Sequence, residues 1–570
     1  MKRMGRVFVF FKSSHLSLYS AGLILLTALG GFLRFYSLDW DSGLFFHPDE
    51  RNIAAAVSRI HFFDQLDPGF FAYGGLLIYT YRAVGELVSF ITQDPSWVSS
   101  WGNINIIGRF TSALFSTLTI PAVYLLTRTV FEKKILALFA SLIAAFTVSF
   151  IQTAHYATTE SLLTFLSVVL ALLSLRLLRR PTLPSYLVCG LVYGLAVATK
   201  MSGLSILVFP LTAHLLVVFG QARSLRVFFH NGLLLIAFLA ISGLVFVVFS
   251  PYTFLDWGAF MESMRYESRV ATGKYSVPYT LQFTHTLPYL FQLKNLFWQL
   301  GPIAFFSIFG FVLLPFVWGR RNPAKLLLFF SFPTIYFLYV GSWHAKFIRF
   351  MVPILPFLII AASVVLFSLY SRRKLVGGGF IVLLSVSTVL WALAFFSIYR
   401  REQTRIAASR WIYQHIPSGS RIFGEHWDDG LPVSLPHSDL SPSRYDIEQL
   451  TIYEPDTEEK LDYFAEKLFL ADYLVINSRR LYGTLIHLEE RYPLTSRYYS
   501  LLFSGKLGYE KVAEFTSYPS LFGVTINDDA SEETFQVYDH PKVMIFAKTR
   551  LQTQDRFAEL LRDEVFPTLR

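Results

Sequence analysis

The sequence has very little cysteine and little charge. Its 570 residues include one cysteine, Cys189, which excludes an intramolecular disulfide and any cysteine-rich metal cluster. Only 16% of the residues are charged, whereas about a quarter is usual in soluble chains. Hydrophobic residues make up 53% of the chain, and the mean hydropathy is +0.45. This composition argues against a soluble enzyme, a disordered chain and a DNA-binding protein, and it predicts a multi-pass membrane unit with one further domain.

The few charges divide the chain into two parts of opposite sign. Residues 401–570 carry 19 Lys and Arg against 27 Asp and Glu, a net charge of −8. Residues 1–400 carry the other 31 basic and 13 acidic side chains, a net charge of +18. The long apolar runs all lie in this first part. We therefore predict an all-α membrane domain over 1–400, with outer loops at 36–103 and 250–296, and an extracytoplasmic α/β or α+β domain over 401–570.

The apolar runs predict about eleven membrane spans, because a span needs about 20 mostly apolar residues. They lie near 17–35, 104–127, 135–152, 161–178, 185–199, 203–220, 230–249, 297–318, 326–341, 350–370 and 376–398. The stretch 70–91 is also fairly apolar but contains Arg82 and Glu86. If it crossed the membrane, the later basic clusters would change side. We therefore place 51–91 on the outer face, as helices that lie on it or dip into it.

Basic clusters orient the spans, because Lys and Arg accumulate in cytoplasmic loops. The clusters lie at 2–12, 128–134, 176–180, 223–226, 320–325 and 372–374. All of them fall on one side if the N-terminus is cytoplasmic, and an odd number of spans then puts the acidic tail outside. A cleaved signal peptide is the alternative for the N-terminus, but its apolar run is long enough to span. The pattern predicts a protein of the plasma (inner) membrane.

The first outer loop holds an adjacent acidic pair in the motif His47-Pro48-Asp49-Glu50. A helix start is the ordinary explanation, because proline and carboxylates both favour the first turn. Polar groups kept close to lipid are, however, functional candidates. An acidic pair at the membrane–water boundary suits a general base or a metal ligand.

The second outer loop offers another carboxylate, Glu160, at the start of a span. Helix capping is one explanation. The other is functional, because Glu160 and Asp49 begin at the same membrane face and are therefore able to meet above the bundle. His155, in the same loop, is typical of an interfacial polar residue. Asp256 belongs to an amphipathic segment of the large outer loop, which predicts a surface helix, with a contribution to a substrate cleft as the alternative.

Three basic residues lie outside the cytoplasmic clusters: Arg109, Lys200 and Arg349. Snorkelling to the interface explains each of them. The functional alternative is binding of an anionic head group, for which Arg offers a bidentate fork to phosphate. We favour this alternative most for Arg349.

The tail combines helical and strand patterns. Residues 405–415 and 457–470 predict helices, and 471–477 and 542–548 predict strands. The acidic pair Asp428 and Asp429 is typical of a solvated turn. The tail contains no Gly-rich phosphate loop, no HExxH motif and no convincing Ser/His/Asp set.

Together these motifs resemble the polyprenyl-phosphate-sugar-dependent glycosyltransferases, a family that includes dolichyl-phosphate-mannose protein mannosyltransferases and bacterial lipid A aminoarabinose transferases. The resemblance rests on HPDE, on GRFTSALFSTLTIPAVYLLTR through QTAHYATTES, on GLAVATKMSGL and on KFIRFMVPILP. It covers most of 20–370 as a pattern, while the tail departs from both named subfamilies. The resemblance implies the GT-C fold and a site at the extracytoplasmic face. It also implies inverting transfer of a sugar from a lipid phosphate to an acceptor hydroxyl.

The resemblance also implies roles for single residues. Asp49 matches the catalytic base, with Glu50 completing the acidic pair. Glu160 would orient the acceptor or hold a cation. Arg349, with Lys200, would bind the lipid phosphate, and Arg109 is a further candidate for that task. The acceptor stays open between glycan, lipid and protein.

The sequence establishes no cofactor. A divalent cation held by Asp49 and Glu160 is the alternative to a second cationic side chain. Two rival functions remain: a lipid or glycan transporter or flippase, and a membrane-anchored binding protein whose tail recognises a glycan or partner. Transporters place ionisable residues near mid-membrane and often contain repeats, whereas here the acids lie at the outer ends of spans and no repeat is evident. The predicted partners are the lipid-linked donor, membrane lipid and the acceptor, with no nucleic acid.

Overall fold

The membrane domain is a bundle of apolar helices in the computed structural model, which describes residues 18–221, 224–318, 322–435 and 438–562. Eight helical segments are long and apolar enough to cross a membrane. They are Leu18–Phe35, Trp101–Phe131, Glu160–Arg179, Met201–Gly220, Leu225–Phe249, Pro323–Gly341, Ile348–Arg372 and Lys374–His415. The last of these contains the apolar helix Lys374–Phe396, followed by Ser397–Arg400 and the tail helix Thr404–His415.

The multi-pass architecture is confirmed, but the number of spans differs from the prediction. The helices Lys134–Ala145 and Val148–Ala154 are bent by 52° and form one broken span or a re-entrant pair. Leu183–Thr199 and Ile303–Trp318 are shorter apolar helices. By length and composition the described ranges therefore give eight or nine spans where the sequence predicted about eleven.

Further helices that are not candidate spans lie between the spans in sequence. They are Pro48–Arg59, Gly75–Thr92, Ser96–Ser99, Tyr252–Leu255, Trp257–Thr272, Pro278–Phe283 and Leu290–Leu300. Local sequence explains where two of them begin. His47 accepts a hydrogen bond from the backbone N–H of Asp49, with Pro48 in the first turn. Asp256 caps Trp257–Thr272 by accepting from the backbone N–H of Ala259.

The tail is built on a mixed sheet. The strands are β1 Arg421–Glu425, β2 Asp446–Leu450, β3 Tyr473–Ile476, β4 Tyr509–Phe515, β5 Ser520–Leu521, β6 Val524–Thr525 and β7 Val543–Lys548. Five of them form one sheet in the order β2-β1-β3-β7-β4, and β5 pairs with β6 in a separate hairpin. β1 is parallel to β2 and β3, whereas β7 runs antiparallel to β3 and β4, with Leu474 opposite Phe546.

Helices cover the sheet and complete the tail. They are Thr404–His415, Glu458–Leu470, Tyr482–Leu485, Pro493–Phe503 and Gln554–Arg562. The two predicted helices and the two predicted strands of the tail are confirmed within a few residues. The prediction of an α/β or α+β domain is confirmed as well, because parallel and antiparallel pairs share one sheet.

The tail is joined to the bundle by a shared core. One cluster of buried residues combines Leu33 and Phe395 of the spans with Phe535 and Ile545 of the tail. Such continuous burial of apolar surface is what holds two units together in one arrangement. The tail therefore packs directly on the ends of the spans.

A buried polar cluster reinforces this junction. The Asp539 carboxylate accepts hydrogen bonds from the hydroxyls of Tyr156 and Tyr399, both at 2.8 Å. His540 lies between Asp539 and Asp528, the latter at 2.7 Å. Burial alone would lower the pKa of His540, but the two carboxylates raise it to about 10. The imidazolium is therefore charged at neutral pH and balances the buried carboxylates.

Some predictions concern residues outside this description. The basic cluster at 2–12, Arg223, Arg320 and Arg321 are not among the described residues. The orientation of the termini therefore stays a prediction.

Candidate active site

A cavity of about 730 Å³ opens where the outer loops, the ends of four spans and the tail meet. Its polar wall contains four of the residues singled out in the sequence: Asp49, Glu160, Lys200 and Arg349. They come from four separate stretches of chain. Bringing two carboxylates and two cations to one cavity produces a site able to handle both protons and phosphate charge.

Asp49 is the most strongly engaged of these carboxylates. It forms an ion pair with Arg349, and it accepts a hydrogen bond from the Tyr73 hydroxyl at 2.7 Å. The Asp49 side chain is 20% exposed and that of Arg349 is 23% exposed. Burial acts to raise the pKa of Asp49, but the charge of Arg349, with His47 and the Tyr73 hydrogen bond, holds it well below its usual range. Asp49 is therefore ionised, the state in which a carboxylate is able to act as a base.

Arg349 has a further donor to offer. Its Nε is buried and has no hydrogen-bond partner among the described residues. A buried donor without a partner costs free energy unless a ligand or water satisfies it. This is the position at which an anionic group inside the cavity would gain a charge-assisted hydrogen bond.

Glu160 and Lys200 form the second charged pair of the cavity. Lys200 Nζ lies 3.0 Å from Glu160 Oε1 and 4.9 Å from the centre of the Tyr73 ring. Tyr73 thus contacts both charged pairs. Glu160 is the first residue of its span, so the N-terminal end of the helix dipole also favours its charge.

Glu50 and Arg109 lie outside the cavity, in contrast to their predicted roles. Arg109 is 1% exposed and forms ion pairs at 2.6 Å with both Asp41 and Glu50. Glu50 also accepts a hydrogen bond from the backbone N–H of Ala157 at 2.6 Å. Because its guanidinium is shared between two carboxylates, Arg109 has no free fork for a lipid phosphate. The pair instead ties the first outer loop to the second, directly behind Asp49.

The other candidate residues support the site without lining it. His47 is 2% exposed and caps the helix of Asp49, and its ring lies against that of Tyr538 of the tail in a tilted contact at 4.0 Å. His155 was predicted to be interfacial, but it is fully buried and stacks on Tyr399 at 3.7 Å. Asp256 is the helix cap described above.

The large outer loop contributes to the cavity. The sequence analysis had favoured a surface helix there and gave a contribution to a substrate cleft as the alternative. Helix Trp257–Thr272 lines it with Met264, Tyr266 and Glu267. Burial raises the pKa of Glu267, although Arg349 acts in the opposite direction. The sequence offered a signal for this carboxylate only in the amphipathic pattern of its helix.

The tail supplies a wall that the sequence analysis missed. Trp427, Asp428 and Asp429 line the cavity, and Trp427 stacks on Tyr279 with ring centres 6.1 Å apart. The two aspartates were expected in a solvated turn. Their side chains are instead 10% and 17% exposed, and Asp429 pairs with Arg51 at 2.6 Å. Trp427 has φ +90°, a strained conformation for a bulky residue and one that is concentrated at functional sites.

The donor set of the cavity fits two ion pairs better than a metal centre. No three His, Cys, Asp or Glu side chains in the described part of the chain lie close enough to share a metal ion. The predicted ligands Asp49 and Glu160 each face a cationic side chain, so their charge is already balanced. No cofactor is established for this site.

Comparisons with known proteins agree with the predicted resemblance. Residues 101–251 match the family model of dolichyl-phosphate-mannose-protein mannosyltransferase. A search of curated proteins finds no match.

Solved structures match over almost the whole chain. One is the archaeal oligosaccharyltransferase AglB from Archaeoglobus fulgidus, solved with an inhibitory peptide and a dolichol-phosphate. It is 14% identical with a TM-score of 0.51, and the match covers 93% of this chain and 88% of that chain. A crystal structure of the Archaeoglobus fulgidus oligosaccharyltransferase in the apo form is 15% identical with a TM-score of 0.52. It covers 91% of this chain and 76% of that chain. ArnT from Cupriavidus metallidurans bound to undecaprenyl phosphate is 14% identical with a TM-score of 0.42. The match covers 92% of this chain and 98% of that chain. The oligosaccharyltransferase structures show that the fold continues through the tail.

Proposed function

We propose that this chain, which has the GT-C fold of the polyprenyl-phosphate-sugar-dependent membrane glycosyltransferases, transfers a sugar from a polyprenyl phosphate to an acceptor hydroxyl with inversion. The observation that carries the proposal is the pairing of Asp49 with Arg349 inside the cavity. One group accepts a proton from a hydroxyl, and the other stabilises a departing phosphate. Residues 1–400 form the transferase domain and 401–570 the second domain. Both the cavity and the tail lie on the extracytoplasmic side of the plasma membrane.

The donor side is formed by the ends of the spans. Arg349 and Lys200 supply positive charge, and Tyr336, Tyr339 and Trp343 supply aromatic surface next to it. A polyprenyl phosphate has this combination, a charged head on a long apolar chain. AglB and ArnT were solved with such lipid phosphates, which supports the assignment.

Donor binding would also activate the base. A carboxylate whose pKa is held well below its usual range is a weak base. The donor phosphate competes for the Arg349 guanidinium, and as the ion pair loosens the pKa of Asp49 rises towards its ordinary value. The site therefore couples the strength of the base to the presence of the donor.

The transfer step then balances with the residues present. Asp49 accepts the proton of the acceptor hydroxyl while the hydroxyl oxygen attacks the anomeric carbon of the sugar. The bond from that carbon to the phosphate oxygen breaks, and the phosphate leaves with the electron pair. Arg349 and Lys200 stabilise its charge. Attack opposite the leaving group inverts the anomeric configuration, and this route uses no divalent cation.

The acceptor side is formed by the tail and the large outer loop. Trp427 and Tyr279 offer aromatic faces, and Asp429 and Glu267 offer hydrogen-bond acceptors. AglB was solved with an inhibitory peptide, while this wall is equally suited to the hydroxyls of a glycan or a lipid head group. The acceptor is therefore assigned only as a hydroxyl compound.

Mass spectrometry of wild-type and deletion strains tests the proposal. We expect the deletion strain to lack a sugar on one class of glycolipid, glycan or glycoprotein and to accumulate the unused polyprenyl-phosphate sugar. A transporter would instead move an intact lipid, so an unchanged set of glycosidic bonds in the deletion strain contradicts the proposal. Protease access to the tail in right-side-out cells tests the orientation, because a protected tail would place the cavity on the cytoplasmic side.

A further inference from the structure

The small hairpin of the tail has a largely exposed apolar tip. β5 Ser520–Leu521 and β6 Val524–Thr525 are joined by Phe522 and Gly523, both with positive φ, +51° and +82°. Two-residue turns of this kind favour Asn and Gly. Phe522 instead occupies the first turn position and is 90% exposed, and Val524 beside it is 65% exposed. An aromatic side chain held outward at a conformational cost points to an interaction outside this chain.

The base of the hairpin is attached to the outer end of the last apolar helix. The backbone N–H of Ser520 donates to Ser397 Oγ at 3.1 Å, and Ser397 directly follows helix Lys374–Phe396. Leu521 packs against the cluster that contains Leu33 and Phe396. The hairpin therefore lies at the level where this helix leaves the membrane.

Its surroundings have the composition of a membrane interface. Phe32 and Tyr36, at the end of the first span, are 59% and 38% exposed and contact Phe396 at 5.9 and 5.0 Å. Arg400 and Arg401 are exposed on the chain beside them, and Arg401 donates to the backbone oxygen of Tyr518 at 3.0 Å. Aromatic side chains with adjacent Arg are typical of the boundary between hydrocarbon and head groups.

We propose that this hairpin inserts Phe522 and Val524 into the outer leaflet, with Arg400 and Arg401 at the level of the lipid phosphates. The partner is the bilayer itself, since the exposed apolar surface of the hairpin continues that of the spans. The chain that follows the hairpin, 526–540, contains Asp528 and Asp539 of the buried junction and Tyr538 of the cavity wall. Lipid contact at the hairpin therefore fixes the position of the tail wall above the cavity. The inference does not depend on the proposed transfer reaction.

Spin-label accessibility in lipid nanodiscs tests the insertion. The full-length protein with Cys189→Ala provides a cysteine-free background, because Cys189 is the single cysteine and is buried. A nitroxide is placed at Phe522→Cys, at Val524→Cys or at Phe469→Cys. Phe469 is the matched control, a tail phenylalanine that is 46% exposed at the end of helix Glu458–Leu470.

We expect labels at 522 and 524 to collide more with oxygen and less with a water-soluble nickel chelate than the label at 469. Equal accessibility at the three positions would overturn the proposal.

Hydrogen exchange of unlabelled protein gives a second test, because a label replaces the side chain in question. In nanodiscs we expect Phe522→Asp to increase amide exchange over 518–526 while exchange of β1, β3 and β7 stays unchanged. Unchanged exchange over 518–526 in this variant would also overturn the proposal.

Discussion

Replacement of Arg349 by Gln separates recognition of the donor phosphate from recognition of its lipid. The Arg349 side chain is 23% exposed in the cavity and pairs with Asp49, and its buried Nε has no hydrogen-bond partner in the part of the chain that the structure describes. Gln keeps a polar side chain of intermediate length but removes the charge. A hydrogen bond to a charged group contributes about 1.5–3 kcal/mol, which corresponds to roughly a 10- to 150-fold change in affinity. When the donor binds, Arg349 exchanges the Asp49 carboxylate for the donor phosphate, so the net gain is smaller than that of a new ion pair. We therefore expect a loss of affinity near the lower end of this range.

The assay compares two ligands that differ only in the phosphate. Polyprenyl phosphate and the corresponding polyprenol are titrated into protein in nanodiscs, and binding is followed by intrinsic tryptophan fluorescence. We expect Arg349→Gln to weaken binding of the phosphate and to leave binding of the polyprenol unchanged. Arg51→Gln is the matched control, since Arg51 lines the same cavity but pairs with Asp429 of the tail. Wild-type affinity for polyprenyl phosphate in Arg349→Gln, or an equal loss for both ligands, would refute the assignment.

Three further predictions concern the acceptor wall, the buried charges and the tail. Trp427→Ala should lower turnover at limiting acceptor by roughly tenfold, the equivalent of one aromatic contact of about 1.4 kcal/mol, while leaving polyprenyl phosphate binding unchanged. Arg109→Met should destabilise the protein by about 3–5 kcal/mol, because it leaves Glu50 buried and unpaired. In thermal melts, the double variant Arg109→Met with Glu50→Leu should lose less stability than the two single variants lose together. Additive losses would contradict the pairing. Burial raises the pKa of Glu425 from 4.5 to about 8, so the folded state keeps a proton that the unfolded state has lost. Stability should therefore fall as pH rises from 4.5 to 8, and Glu425→Gln should flatten this slope in melting curves.

Local patterns in the sequence were sufficient to predict the charged residues of the cavity. Asp49 and Glu160 were selected as carboxylates at the outer ends of spans, and Lys200 and Arg349 as basic residues outside the cytoplasmic clusters. The structure brings all four to one cavity. The physical reason is general. A charge near lipid is costly, so one that remains at the outer end of a span has a partner or a ligand.

The same reasoning did not distinguish a charge that binds a ligand from one that satisfies its neighbour. Arg109 broke the pattern as clearly as Arg349, yet it is shared between Asp41 and Glu50. Nothing local to Arg109 indicates which of the outer-loop acids will face it after folding. The choice is made by packing of the second outer loop, where the backbone of Ala157 also binds Glu50.

The contribution of the tail to the cavity was not predictable from the sequence for a related reason. Trp427 meets Tyr279, and Asp429 meets Arg51, only through contacts between distant parts of the chain. A short acidic turn has the same local pattern on a solvated surface and in a cavity wall. The predicted count of eleven spans also differs from the eight or nine found, because the predicted spans near 185–199 and 297–318 fall on the helices Leu183–Thr199 and Ile303–Trp318, which are apolar but short.

The measurement that tests the central claim most directly is turnover by Asp49→Asn. Purified protein in nanodiscs is supplied with a polyprenyl-phosphate sugar and a membrane extract as acceptor, and release of polyprenyl phosphate is followed by mass spectrometry. A general base contributes about 10²–10⁴-fold to the rate. We therefore predict a loss of at least about 100-fold in Asp49→Asn, with wild-type melting temperature and retained polyprenyl phosphate binding. Asp256→Asn, at a helix cap outside the cavity, should keep wild-type turnover. Turnover by Asp49→Asn at the wild-type rate would contradict the account.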